Sequence, residues 1–117
     1  MKKILIVDDS AFSRNIIRQI VTSDGYQAVE AGTGTEALML FQTEKPDIVT
    51  LDLLMPDTDG IDVVRKIAET SPGAKMIVCS TDKQKFRQKE AKAAGAAAFV
   101  PKPIDPELLL ETIKNLL

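Results

Sequence analysis

Five short apolar runs recur along the chain, near residues 3–8, 27–31, 47–52, 75–80 and 96–100, and between them the apolar positions change to helical spacing. Runs such as Ile4-Leu5-Ile6-Val7, Ile48-Val49-Thr50-Leu51 and Met76-Ile77-Val78-Cys79 scarcely alternate with polar residues. That pattern predicts strands covered on both faces, as in a parallel sheet. Start signals mark the intervening helices: Thr33 to Glu36 has capping-box spacing, Asp59 precedes Gly60-Ile61 and a stripe through Val64 and Ile67, and Asp105 precedes Pro106. Gly25, Gly73 and Gly95 stand where helices should stop. Strands alternating with helices through short connections imply five βα units, an α/β sheet with helices on both faces. The expectation is one domain over residues 1–117, without repeats, linker or second domain.

Two of the runs end in acid. Val7 leads directly into Asp8-Asp9 and Leu51 into Asp52, and ligands of open α/β sheets bind beyond the carboxyl ends of the strands. Two carboxylates ~5 Å apart at an effective dielectric of ~20 repel by roughly 3 kcal/mol. A helix N-terminus returns at most ~1 kcal/mol, enough to explain one of the three acids. A divalent cation is therefore expected, and Mg²⁺ suits carboxylate oxygens combined with waters and phosphate oxygens.

Composition narrows the partners. The formal charge is −2, and the aromatic set is four Phe and one Tyr without Trp, which argues against a nucleic-acid surface. Cys79 is the single cysteine, so no intrachain disulfide forms; inside an apolar run it reads as a small buried hydrophobe, and a cytoplasmic location is expected. Met1-Lys2-Lys3 is followed by only four apolar residues, too few for a signal-peptide core, and no apolar stretch is long enough to span a membrane.

Four motifs then carry a family resemblance: Val7-Asp8-Asp9-Ser10, Leu51-Asp52-Leu53-Leu54-Met55-Pro56 with Gly60, Cys79-Ser80-Thr81, and Val100-Pro101-Lys102-Pro103. In this order on these element ends they resemble the receiver domain of two-component response regulators, along the whole chain. The resemblance implies a flavodoxin-like sheet of order 2-1-3-4-5. It implies Asp52 as phosphoacceptor, forming an acyl phosphate with a phosphoryl group from a sensor histidine kinase acting in trans, since the chain has no histidine. It further implies Mg²⁺ (or Mn²⁺) held by Asp9 directly, Asp8 mainly through water, Asp52 and the Leu54 carbonyl. Lys102 and Ser80 would bind the phosphoryl oxygens, with a cis Lys102-Pro103 bond aiming the lysine inward and Phe99 as the aromatic switch position coupled to Ser80. The output would be altered affinity for a protein effector at the surface of the fourth helix, fifth strand and fifth helix, as a monomer or a phosphorylation-dependent dimer.

The same residues have plainer readings. A strand-end Asp often caps a turn, a lysine is usually solvated, and Phe99 could be ordinary core. The run Lys83, Lys85, Arg87, Lys89, Lys92 reads first as a solvated helix face, and Gly32-Thr33-Gly34-Thr35 as a turn with a cap rather than a phosphate loop. Leu54, Thr81 and Pro101 depart from the usual family pattern. Leu54 is apolar and cannot orient water, Thr81 replaces a smaller residue, and Pro101 removes a backbone donor, acceptable if the fifth strand is at the sheet edge. Leu54 and Thr81, with Asp82 as the matching position after Ser80, are expected to tune autodephosphorylation. The receiver could also belong to a larger regulator. A Mg²⁺-dependent aspartyl phosphatase of haloacid-dehalogenase type fits less well, because that chemistry needs an acid where Leu54 stands, and a flavin site lacks loop aromatics.

Overall fold

The structure, a computed structural model, describes residues 1–56, 58–81 and 85–117. Five strands and five helices alternate: β1 (Lys3–Val7), α1 (Ala11–Ser23), β2 (Gln27–Ala31), α2 (Gly34–Glu44), β3 (Ile48–Leu51), α3 (Gly60–Thr70), β4 (Met76–Ser80), α4 (Lys85–Ala94), β5 (Ala98–Pro101) and α5 (Pro106–Leu116). All strand pairings are parallel, in the order β2-β1-β3-β4-β5. This is the order the resemblance implied, and each strand lies within two residues of its expected bounds.

Side-chain alternation splits the core between the two faces of the sheet. Leu5, Val7, Val49, Leu51, Met76 and Val78 pack with Ala37, Ile61, Val64, Ile67 and Ala91, which puts α2, α3 and α4 on one side. Ile4, Ile6, Ile48, Ile77, Cys79 and Val100 pack with Ile17, Val21, Leu109 and Ile113, which puts α1 and α5 on the other. Apolar runs without alternation are thus explained, since both sides of the central strands are covered.

Helix boundaries follow local hydrogen bonding. Ser10, Thr33, Asp59 and Asp105 each accept a main-chain N–H of the following turn through their side-chain oxygen. The return arm of the box at α2 is displaced by one residue, because Glu36 Oε1 accepts from Gly32 N (2.7 Å) instead of from Thr33. Gly25 and Gly95 do adopt positive φ after α1 and α4, whereas α3 is closed by Ser71 ahead of Gly73. Lys45 ends α2 in the left-handed region, a stop without a glycine signal. Pro101 closes β5 at the edge of the sheet, where a missing donor costs no ladder bond.

Candidate functional site

The site forms where strand order reverses. β1 runs between β2 and β3, and Val7 is the register partner of Leu51, so the residues that follow, Asp8 and Asp52, emerge side by side. The ladder extends one step past the strands: Asp8 N donates to Ala31 O (3.1 Å) and Asp52 N to Val7 O (3.0 Å). One carboxylate oxygen from each of Asp8, Asp9 and Asp52 lies within 4.8 Å of the others. Asp8 and Asp52 are buried, while Asp9 is exposed and makes no side-chain hydrogen bond or ion pair among the described residues.

The loop after Asp52 folds back on it. Leu54 N donates to Asp52 Oδ1 (3.0 Å), Leu54 bridges to Asp59, and Gly60 N donates to Leu53 O (3.1 Å). A Cβ on Gly60 would stand 2.5 Å from both the Asp52 carbonyl oxygen and Leu53 Cα, so only glycine lets the start of α3 approach the acid's own backbone this closely.

Lys102, just beyond β5, supplies the positive charge. Its Nζ donates to Asp8 Oδ2 (2.6 Å) and Asp52 Oδ2 (2.9 Å), and its backbone N–H donates to Ser80 O (3.0 Å). The Lys102-Pro103 peptide is cis, as the resemblance implied. Burial disfavours the ammonium charge, but hydrogen bonds to Asp8 and Asp52 and the charges of these acids outweigh it, and the pKa of Lys102 is raised. A raised lysine stabilises the fold below its ordinary value of 10.5 and ceases to do so as pH climbs past the raised one, so the tie is complete at neutral pH.

Ser80 is fully buried at the end of β4, opposite Pro101 in the register, and Thr81 is exposed beside it. Phe99 is half-buried on β5, packs against the α2-α3-α4 side of the core, and borders a cavity of about 320 Å³ that Lys85, Lys89 and Lys92 also line. Leu54 is 50% exposed at the rim. Asp82 and Lys83 lie outside the described residues.

The donor set fits a hard divalent ion: three carboxylates converge, one is unpartnered, and a lysine ammonium already serves as counter-cation to the other two. Asp8, Asp9 and Asp52 are the residues that would hold it, with the Leu54 carbonyl on the adjoining loop.

Several contacts escaped sequence reasoning. Arg14 donates from Nη1 to the Asp8 carbonyl (2.5 Å) and from Nε to Glu30 (3.1 Å). Arg87, read as part of a solvated face, pairs instead with the α3 cap Asp59 (3.0 Å) and with Glu90 (3.2 Å). Thr50 Oγ1 is buried without a hydrogen-bond partner among the described residues. An arginine one turn into a helix opposite a glutamate in an otherwise apolar strand is the only signal that could have revealed the first pair.

Comparison with known proteins agrees with the geometry. The family described as "Response regulator receiver domain" matches residues 4–114. The chemotaxis protein CheY of Thermotoga maritima is 44% identical over 97% of this chain and 96% of its own. Two solved structures superpose closely: the response regulator protein TrrA of Thermotoga maritima in complex with Mg(2+)-BeF (TM-score 0.92, 32% identity, all of both chains) and the CheX-CheY-BeF3-Mg+2 complex of Borrelia burgdorferi (TM-score 0.94, 34% identity, 98% of this chain and 88% of that one). No described helix is long and apolar enough to cross a membrane.

Proposed function

The chain belongs to the response regulator receiver domain family, a family of signalling modules, and we propose that it accepts a phosphoryl group on Asp52 and thereby changes its affinity for a protein partner. The carrying observation is the convergence of Asp8, Asp9, Asp52 and Lys102 at the switch point of the sheet.

Asp52 Oδ1 accepts from the Leu54 main-chain N–H and Oδ2 from the Lys102 side chain. Oδ2, whose partner is a side chain that can swing aside, is the oxygen that meets an incoming phosphorus. In the transfer, Oδ2 forms a bond to phosphorus, the bond from phosphorus to the donor histidine nitrogen breaks, and the electron pair leaves with the imidazole. The donor is a histidine kinase in trans. Lys102 follows the charge from the Asp52 oxygen to the transferred group, and the Ser80 hydroxyl donates to another phosphoryl oxygen. Asp9, Asp52 and the Leu54 carbonyl would hold Mg²⁺ (or Mn²⁺), with Asp8 reaching it mainly through water, and the ion would supply charge neutralisation for the phosphoryl oxygens.

Such redistribution of Lys102 and Ser80 biases a two-state element, with Phe99 beside the cavity under α4 as the mobile side chain. The partner would carry acidic groups, because Lys85, Lys89 and Lys92 of α4 border that cavity beside β5, and it would dock on the surface of α4, β5 and α5. Return to the resting state is autodephosphorylation, slowed by Leu54 and tuned by Thr81 and Asp82. The protein would act in the cytoplasm, beside its kinase.

Incubation with acetyl phosphate and Mg²⁺ tests the reading. Intact mass should show one added phosphoryl group on the wild type, none with EDTA and none on Asp52→Asn. Equal labelling of wild type and Asp52→Asn would overturn it.

A further inference from the structure

We propose that Arg14 is a positioning residue for the metal-facing carboxylate of Asp9, acting through the Asp8 carbonyl, and that Gly32 is the opening that allows it. This rests on the proposed Mg²⁺-dependent chemistry at Asp52 and assigns it a part outside the acidic cluster.

Asp9 is the one member of the cluster whose side chain has no described partner, so its aim is set by its backbone. The Asp8 N–H still pairs with Ala31, but the Asp8 carbonyl has passed the end of β1, and its partner is Arg14 Nη1 at 2.5 Å. The peptide joining Asp8 to Asp9 is planar, so fixing that carbonyl also fixes the Asp9 amide and the position of its Cα, from which the side chain departs. Asp8 cannot turn to compensate, because Oδ1 accepts from Ser10 N (2.9 Å) and Oδ2 from Lys102.

The guanidinium is itself held and neutralised. Its Nε donates to Glu30 Oε1 (3.1 Å), Glu30 Oε2 accepts from Arg18 (2.9 Å), and the Arg14 side chain is only 19% exposed. A planar fork holds a carbonyl and a carboxylate in one fixed mutual geometry, which the rotatable donors of a lysine do not impose. Pairing with Glu30 also keeps a cation beside a cation site from repelling the ion.

Gly32 supplies an independent observation. A Cβ there would lie 3.2 Å from Arg14 Nη1 and 3.8 Å from Cζ, and its φ is not in the left-handed region. Alanine is therefore compatible with the backbone, and what it disturbs is the guanidinium. The glycine that resembles part of a phosphate loop instead makes room for this side chain.

The test is ion affinity, read from free Mn²⁺ by electron paramagnetic resonance with Mg²⁺ as competitor, on wild type, Arg14→Met, Arg14→Lys, Gly32→Ala and Arg18→Gln, with circular dichroism as the folding check. Arg14→Met should weaken binding on the order of tenfold, the low end for partners behind a metal ligand. Arg14→Lys should recover part of this, Gly32→Ala should weaken binding in the same direction, and Arg18→Gln should match wild type. Sign separates positioning from charge, since deleting a positive charge near the site would by itself tighten cation binding. Arg14→Met binding as tightly as wild type or tighter overturns the inference; if that variant does not fold, Gly32→Ala with wild-type affinity does so. A wild type that takes up neither ion overturns the proposed function as well, whereas unaltered variants beside a wild type that binds leave that function standing.

Discussion

Replacing Lys102 with methionine removes the only described cation within bonding reach of two buried carboxylates. At 4.8 Å, the outer limit of the cluster, each pair of carboxylates repels by about 3.5 kcal/mol at an effective dielectric of ~20. Lys102 approaches Asp8 and Asp52 to 2.6 and 2.9 Å with side-chain exposures of 13%, 2% and 10%. Breaking a buried pair by deleting one partner costs about 3–5 kcal/mol. The rim position lets Asp52 regain some water, so urea denaturation in EDTA should show Lys102→Met less stable by about 3 kcal/mol. Mg²⁺ stabilises a folded state that binds it by about 2.7 kcal/mol at a hundred times its Kd. Because lysine and metal compete for the same oxygens, Mg²⁺ should stabilise Lys102→Met more than wild type at equal concentration. The reasoning is refuted if the variant matches wild-type stability in EDTA, or if Mg²⁺ stabilises it less.

Other outcomes follow from single contacts. Thr50→Val should raise stability by about 1 kcal/mol in urea titration, since it replaces an unpartnered buried hydroxyl with a methyl group of like volume; a loss would reveal a partner for the hydroxyl. The hydrogen bond from Arg87 lowers the pKa of Asp59, so the advantage of wild type over Arg87→Gln should be present above the ordinary carboxyl value of 3.8 and vanish as pH falls through the lowered one. With Asp59 45% exposed, that advantage should not exceed about 1 kcal/mol, and a difference that persists below that range would contradict the assignment. Burial pushes the Cys79 thiol up to about 12, aided by the charges of Asp52 and Asp8, so thiol reagents at pH 8 should modify the native protein only as fast as it unfolds. Leu54→Asn should change the decay rate of the phosphorylated protein, measured by mass spectrometry over time; an unchanged rate would remove Leu54 from the account.

The parts legible in the sequence were those written in local pattern. Unbroken apolar runs marked β1, β3 and β4 because both sheet faces are covered there, and Thr33, Asp59 and Asp105 marked helix starts because capping is a contact across two or three residues. Acids directly after β1 and β3 could be brought together on paper, since parallel neighbours surface at the same rim. What stayed hidden depends on distance in the chain. Arg87 reaches Asp59 across 28 residues and Arg14 reaches Glu30 across 16, and no local periodicity distinguishes these arginines from solvated ones. Lys45 entering the left-handed region and Thr50 without a partner are likewise outcomes of packing that residue type does not announce.

The central claim, that the crowded carboxylates at the β1-β3 rim prime Asp52 to take a phosphoryl group, is tested most directly by locating the label. After phosphorylation with acetyl phosphate and Mg²⁺, borohydride reduction converts an aspartyl phosphate to homoserine, which peptide mass mapping assigns to a position. Homoserine at residue 52 is the predicted result. Homoserine at Asp8 or Asp9, or equal conversion with and without Mg²⁺, would contradict the account.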